Sequence, residues 1–220
     1  MKKNTPSNMK ESSLFVLSGD SAILKTRALE SIVQQRLPDG DREYGLVQLQ
    51  AAEASVSEIT SALGSGSLFA TQQVVVIREL DKMARTQQQQ LVASLENMGP
   101  ELTVAITCSP SARGKSTEPN LSAPLVRLAK SSGQIIDCHS PIYTEWKDEL
   151  TPWVREEANY RGKSLATNAA QLLIDTVGSD CDRLASEISK LVVYVGDSPE
   201  INGADIRAAA SPGEEQRSEE

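Results

Sequence analysis

The sequence predicts an α/β domain with a mainly parallel sheet over residues 13–140, followed by a small all-α helical bundle over residues 141–210. Three observations predict it. Short apolar runs rich in β-branched residues alternate with stretches that place an apolar residue every three or four positions, as strands joined by crossover helices do. The run Val74–Ile77 is apolar throughout, as expected of a strand covered on both faces. After Pro141 no further strand-like run occurs, and the apolar residues recur at helical spacing alone.

The elements follow in order. Leu14–Leu17 reads as a buried strand that leaves into a turn at Ser18-Gly19-Asp20. Leu24, Ala28, Leu29, Ile32 and Val33 then mark one face of a helix, stopped by Pro38-Asp39-Gly40. Gly45–Leu49 is a second strand. Ser55 and Glu58 have the spacing of a capping box, opening a helix with Val56, Ile59 and Leu63 inward, and Gly64-Ser65-Gly66-Ser67 breaks it. Val74–Ile77 is a central strand. Leu91, Val92, Leu95 and Met98 mark the next helix, which ends at Gly99-Pro100. Leu102–Ile106 is another central strand, Leu121, Leu125 and Leu128 mark a further helix, and Gln134–Ile136 is the last strand. Gln87–Gln90 fall in a helical stretch, where long uncharged side chains suit a solvated face.

In the second half, Thr151-Pro152 has the form of an N-cap and first helical residue, with Trp153, Val154 and Ala158 apolar and Gly162 as the stop. A second helix is expected over 167–177, stopped by Gly178. Asp180 caps a third, whose inward stripe is Cys181, Leu184, Ile188, Leu191 and Val195. Ile201 and Ile206 mark a final short turn or helix. The two domains join near Pro141 to Trp146. Residues 1–12 are expected to be a mobile tail, and 211–220 a frayed C-terminal tail.

Composition narrows the function classes. The 220 residues carry a net charge of −8, with 39% hydrophobic and 24% charged residues, the balance of an ordinary globular chain. No apolar run approaches the roughly 18–20 residues of a membrane span. A pI near 4.9 argues against nucleic-acid binding through bulk charge. Cys108, Cys138 and Cys181 are odd in number and form no CxxC pair, so neither a zinc ribbon nor a thioredoxin-type site is supported. Buried, reduced thiols in a cytoplasmic protein are expected, because no apolar stretch follows Lys2, Lys3 and Lys10 to form an export signal. His139 is the single histidine, so a metal site or a Ser-His-Asp triad would have to be built around it. The triplet Asp137-Cys138-His139 is not read as catalytic, since neighbours in an extended segment point in opposite directions. No metal site and no cofactor are expected.

An α/β domain whose first strand ends in glycine invites a search for a phosphate-binding loop, G-x-x-x-x-G-K-[ST]. The segment Gly19-Asp20-Ser21-Ala22-Ile23-Leu24-Lys25-Thr26 supplies the first Gly, the Lys and the Thr. Its second Gly is replaced by Leu24, whose side chain stands where the backbone must come close to a phosphate. Asp20 adds a negative charge. The metal-holding acid after the third strand is also missing: Arg78 follows Ile77, and Glu79 comes one position late. The expectation is a degenerate loop that binds no nucleotide, with Lys25 and Thr26 as solvent-facing helix residues.

The order of these features resembles the delta subunit family of the bacterial DNA polymerase III clamp loader, over nearly all of Leu14–Ile206. Phe15-Val16-Leu17-Ser18-Gly19-Asp20 is similar to that family's opening strand and turn. Ser67-Leu68-Phe69 followed by Val74–Ile77 resembles its clamp-contacting loop and third strand. Trp153-Val154 with Gly162, then Val177-Gly178-Ser179-Asp180, then Leu184, Glu187, Lys190-Leu191 and Tyr194 resemble its helical second domain. The resemblance implies an AAA+-type fold without nucleotide binding, and a protein with no catalysis of its own that serves in the polymerase complex. It implies binding to the ring-shaped sliding clamp through Leu68 and Phe69, and opening of one ring interface so that the ring loads on primed DNA. The chain departs from the family at Gln72 and Gln73, where a basic residue is usual. It also lacks the helical collar domain through which the family joins the other loader subunits, so these 220 residues are not expected to assemble with them alone.

The residues themselves leave Leu68 and Phe69 open between two placements. On a loop after the Gly/Ser-rich break they form an exposed apolar knob, which marks a partner site; tucked under the sheet they are core. The other function class is a divergent P-loop NTPase using Lys25, Thr26 and Glu79.

Overall fold

The computed structural model describes residues 13–37, 42–64, 70–111, 118–141 and 146–210. Expectations for residues 1–12, Pro38-Asp39-Gly40, Ser65 to Phe69 and residues 211–220 lie outside these. The chain divides into two compact units between His139 and Ser140.

In the first unit, β1 (Leu14–Ser18), β2 (Leu46–Gln50), β3 (Gln73–Arg78), β4 (Leu102–Cys108) and β5 (Gln134–Asp137) form one sheet in the order β2-β3-β4-β1-β5. Every pairing is parallel: Leu14 lies opposite Val104, Val47 opposite Val75, Val75 opposite Val104 and Val16 opposite Ile135. Side chains alternate between the two faces. Leu14, Val16, Val75, Ile77, Val104, Ile106 and Cys108 pack on one face. There they meet α3 (Val56–Gly64), α4 (Arg85–Gln90), α5 (Val92–Glu96) and α6 (Ala123–Ser132) through Ile59, Leu63, Leu91, Leu95, Leu125 and Leu128. The alternate residues of the three central strands face α1 (Ala22–Arg36), which touches β1, β3 and β4 and buries Leu24, Leu29, Ile32 and Val33. The Arg36 guanidinium lies 5.9 Å from the centre of the Phe15 ring on that side. This is the three-layer arrangement the alternation predicts.

Local signals in the sequence set most boundaries. The Ser55 hydroxyl accepts from the Glu58 amide at 3.2 Å, and Glu58 accepts from the Ser55 amide at 2.7 Å, closing the expected capping box. Two expectations shift. Gly45 ends a short helix, α2 (Arg42–Gly45), rather than opening β2. The helix expected over 91–98 is two short helices that meet at Leu91.

A third expectation fails. Gln88 is not on a solvated face; it is fully buried. Its Nε2 donates to the Leu80 carbonyl at 3.0 Å and the Met83 carbonyl at 2.8 Å, and its Oε1 accepts from the Ser122 amide at 2.7 Å. Gln88 thus satisfies the backbone of a 3-10 turn at Leu80–Lys82 and of the entry to α6 together. Gln87, Gln89 and Gln90 are exposed as expected.

The second unit packs α7 (Trp146–Tyr160), α8 (Thr167–Val177), α9 (Cys181–Val195) and α10 (Gly203–Ala209) around Leu150, Val154, Leu173, Ile174, Leu184, Ile188 and Ile206. Asp180 caps α9 by accepting from the Arg183 amide at 2.9 Å, and Gly162 has the positive φ (77°) expected of a helix stop. Helix α7 starts at Trp146, before Thr151-Pro152, so Pro152 lies inside it at the loss of one helical hydrogen bond. The unit is also not purely helical: β6 (Ser164–Leu165) pairs in parallel with β7 (Glu200–Ile201). Lys163 clasps that joint, its Nζ donating to the carbonyls of Gly196 and Ser198 at 2.5 and 2.6 Å. The Glu157 carboxylate is buried and pairs with Arg161, which also donates to the Ser189 hydroxyl at 3.0 Å.

Replacing Gln88 by Leu strands two carbonyls and one amide in the core. The variant is expected to lose about 3 kcal/mol of unfolding free energy in urea titration, at roughly 1 kcal/mol or more for each unmet group. Gln87→Ala and Gln89→Ala are expected to stay within about 0.5 kcal/mol of the parent.

Candidate functional site

All five strands run the same way, so their C-terminal ends share one edge of the sheet, where ligands of open α/β folds sit. Gly19, Leu24, Lys25 and Thr26 lie at that edge, between the end of β1 and the first turn and a half of α1.

Three residues separate β1 from α1, too few for the wide loop that wraps a phosphate. Ser21 caps α1, its hydroxyl accepting from the Leu24 amide at 3.3 Å. The Ser21 amide donates to the Cys138 carbonyl at 3.1 Å, and the Cys138 amide to the Ser18 carbonyl at 2.8 Å. Within the loop segment the amides of Ser21 and Leu24 therefore already have partners inside the protein. Leu24 is buried against the core, which is the physical reason a glycine is not needed there. The Thr26 hydroxyl donates back to the Ala22 carbonyl at 2.9 Å. Lys25 and Thr26 are half-buried rather than solvent-facing.

Gly19 has a reason unrelated to phosphate. A Cβ built there would overlap the Cys138 backbone, because the exits of β1 and β5 run against each other at this point. The residue that looks like the first glycine of a loop is a packing glycine.

At the end of β3, Arg78 reaches across to β2 and donates to the Gln48 side-chain oxygen Oε1 at 3.1 Å. Glu79 follows with a left-handed backbone (φ 54°), and among the described residues it is the only non-glycine with a positive φ. Its amide donates to the buried Thr107 hydroxyl at 2.9 Å.

The cysteines here are not activated. Burial pushes the Cys108 thiol up to about 11, against the opposing pull of the Ser18 hydroxyl and the Lys25 ammonium. Burial likewise pushes Cys138 up to about 12, with Lys25 opposing. Both stay neutral thiols near pH 7, the form that is not a nucleophile. Asp137 and His139, two residues apart, do meet: the Asp137 carboxylate accepts from the His139 amide at 3.0 Å and lies 2.6 Å from His139 Nδ1. Sequence reasoning missed this pair because it compared only adjacent residues. Among the described residues no group of three or more His, Cys, Asp or Glu side chains could hold a metal ion. None of the helices described is long and apolar enough to cross a membrane.

Leu68 and Phe69 lie outside the described residues. The segment that carries them, 65–69, runs between Gly64 at the end of α3 and Ala70, three residues ahead of β3. Those ends belong to the N-terminal edge of the sheet, opposite Gly19–Thr26.

No protein-family model matches the chain. No curated protein matches it in sequence. Solved structures do match in fold. The Bacillus subtilis DNA clamp loader delta protein (YqeN) aligns with a TM-score of 0.56 at 16% identity, over 93% of this chain and 60% of that one. The Thermotoga maritima RuvB Holliday junction branch migration motor aligns with a TM-score of 0.56 at 14% identity, over 90% of this chain and 60% of that one. The chain thus spans about 60% of the length of each.

Gly19→Ala is expected to cost roughly 3 kcal/mol of stability with no nucleotide present, as a buried overlap with backbone must be relieved. Ser21→Ala, which removes only a cap, is expected to cost about 1 kcal/mol. Chemical denaturation of both variants measures the difference. The chain has the AAA+-type fold shared by the clamp-loader delta protein and RuvB.

Proposed function

We propose that this chain is a clamp-loader subunit of the delta type. It binds a ring-shaped sliding clamp and biases one ring interface open for loading on primed DNA, without nucleotide chemistry of its own. The observation that carries this reading is the occupied loop of Gly19–Thr26 within an AAA+-type sheet. The amides of Ser21 and Leu24 already have partners, and Leu24 is core. A member of this fold class that keeps the scaffold but closes the phosphate cradle acts by contact rather than by hydrolysis. The resemblance at Ser67-Leu68-Phe69 supplies the contact, and the other loader subunits and primed DNA are its further partners in the complex. Binding one shape of the ring better than another is what shifts the ring toward opening.

A second reading has one observation in its favour. The strained backbone of Glu79 sits at the end of β3, where an NTPase holds its acid, and strain of this kind gathers at functional sites. A saturable ATP isotherm in the micromolar range that disappears in Lys25→Ala would favour a divergent NTPase.

The delta reading is tested by the double change Leu68→Ala and Phe69→Ala. Each side chain buried in a partner pocket contributes roughly 1.5–3 kcal/mol. The pair is therefore expected to weaken clamp binding by about 10²-fold or more, at tenfold per 1.4 kcal/mol. The melting temperature is expected to hold. Unchanged affinity for the purified clamp, or a melting temperature that collapses as for a core deletion, would overturn the assignment.

A further inference from the structure

Among the described residues four large apolar side chains are exposed, Tyr44, Tyr160, Val193 and Tyr194, and three of them lie at one end of the helical unit. Before its last turn α9 keeps a polar outer side, with Ser186 and Lys190 exposed and Leu184, Ile188 and Leu191 buried. From Leu191 to Val195 the sequence turns to Leu-Val-Val-Tyr-Val. A helix that is apolar on every side belongs in an interior. Only Leu191 is buried there, while Val193 is 81% exposed and Tyr194 56%. Tyr160, the last residue of α7, is 63% exposed and belongs to the same end. The residue after it, Arg161, donates to the Ser189 hydroxyl one turn before Val193, and Lys163 donates to the carbonyls of Gly196 and Ser198 just past α9. Scattered singly, such side chains are ordinary; gathered at one place they mark a surface that a partner covers.

The charges at this end state the chemistry of that partner. The nearby cations are engaged within the unit: Arg161 pairs with Glu157, Lys190 pairs with Glu187 at 2.6 Å, and Lys163 is held by two carbonyls. Glu156, one turn before Tyr160 on the same side of α7, and Asp197 and Glu200, which follow α9, are exposed carboxylates with no ion pair among the described residues. A second copy of the chain brings the same carboxylates and is repelled. Residues 211–220 carry four glutamates and no apolar side chain except Pro212, so they supply neither apolar cover nor opposite charge. We propose that this end of the helical unit is a docking surface for a cationic amphipathic segment of a partner protein. Its apolar side covers Tyr160, Val193 and Tyr194, and its Lys or Arg side chains meet Glu156, Asp197 and Glu200. The apolar contact holds the partner, and the carboxylates select its charge and reject nucleic acid and anionic membranes. The surface shares no residue with Leu68 and Phe69, so it stands apart from the clamp reading.

The test uses the full chain and three synthetic helical peptides of equal length: an amphipathic Leu/Lys peptide, its Leu/Glu counterpart, and a Gln/Lys peptide that lacks the apolar side. Kd is read by fluorescence anisotropy, and the site by protection of backbone amides from hydrogen exchange. The Leu/Lys peptide is expected to bind saturably, to protect residues 190–200, and to bind about tenfold or more tightly than either of the others. Val193→Ser with Tyr194→Ser is expected to weaken it by about tenfold or more at an unchanged melting temperature, because both side chains are exposed. If that pair folds poorly, Val193→Lys keeps an unbranched, helix-favouring stem, sets a like charge against the peptide and is expected to give the same loss. Asp197→Asn with Glu200→Gln is expected to weaken binding and flatten its salt dependence. Asp175→Asn, near the end of α8 and so toward the start of α9, is expected to hold Kd within about twofold. Absence of saturable Leu/Lys binding, equal binding of the Leu/Glu peptide, parental affinity in the Val193→Ser, Tyr194→Ser variant, or protection confined to other residues overturns the proposal. So does self-association in sedimentation equilibrium that the same pair of changes abolishes, since the occupant is then a second copy.

Discussion

Burial of the central strands on both faces is the constraint from which the rest of this fold follows. All five residues of β1 and all seven of β4 are buried, and β3 is buried from Gln73 to Ile77. A sheet of that kind needs a helical layer on each side, and parallel pairing supplies it, because each crossover lays a helix on one face. The consequence for function is geometric. No side chain from the middle of these strands is offered to solvent, so chemistry or recognition has to be placed at the strand ends and in the connections.

The two edges of the sheet are furnished differently. At the C-terminal edge the backbone is closed on itself: the exits of β1 and β5 touch through Gly19 and Cys138, the Ser21 amide is held by Cys138, and the Ser21 hydroxyl caps α1. Buried donors need partners, and a phosphate is one way to supply them. Here the protein supplies them from β5 and from its own cap. Gln88 does comparable work a short distance along the same edge, meeting two carbonyls and an amide with one side chain. At the N-terminal edge Ala70 and Gln72 lie against Gly45, together with the Leu37 side chain, so that a Cβ there would crowd all three. The parallel sheet is thus kept while its C-terminal edge at Gly19–Thr26 is closed by the protein's own backbone and cap.

The helical unit rests on a single apolar stripe per helix. Cys181, Leu184, Ile188 and Leu191 are buried on α9 as the spacing requires, whereas Val195 at the end of the stripe is only half-buried. Among its described residues the buried carboxylate is paired, Glu157 with Arg161, and Lys163 satisfies carbonyls after α9, whereas the buried Thr151 hydroxyl has no hydrogen-bond partner. That ion pair is local to the end of α7 and leaves no uncompensated buried charge, while the link to α9 is the Arg161 donation to the Ser189 hydroxyl.

Element type and order were legible in the sequence where one local rule decided them. Two-sided apolar runs gave β1, β3 and β4. The Ser55–Glu58 spacing gave the start of α3, and Asp180 with Gly178 gave the turn between α8 and α9. Leu24 in place of glycine and Arg78 in place of an acid already pointed to a closed phosphate loop. What the sequence misplaced were features set by partners distant in the chain. Four consecutive glutamines look alike until Leu80, Met83 and Ser122 converge on the second of them. Thr151-Pro152 has the chemistry of a helix start, yet packing of Leu150 and Val154 carries the helix back past it. Gly19 reads as a phosphate glycine until β5 is laid beside β1, and Gly45 reads as a strand start until Ala70–Gln72 cross it. Periodicity and capping depend on neighbours within a turn or a strand, so the sequence by itself determines them. Hydrogen-bond satisfaction and backbone-to-backbone approach depend on segments tens of residues apart, so only the tertiary structure decides them.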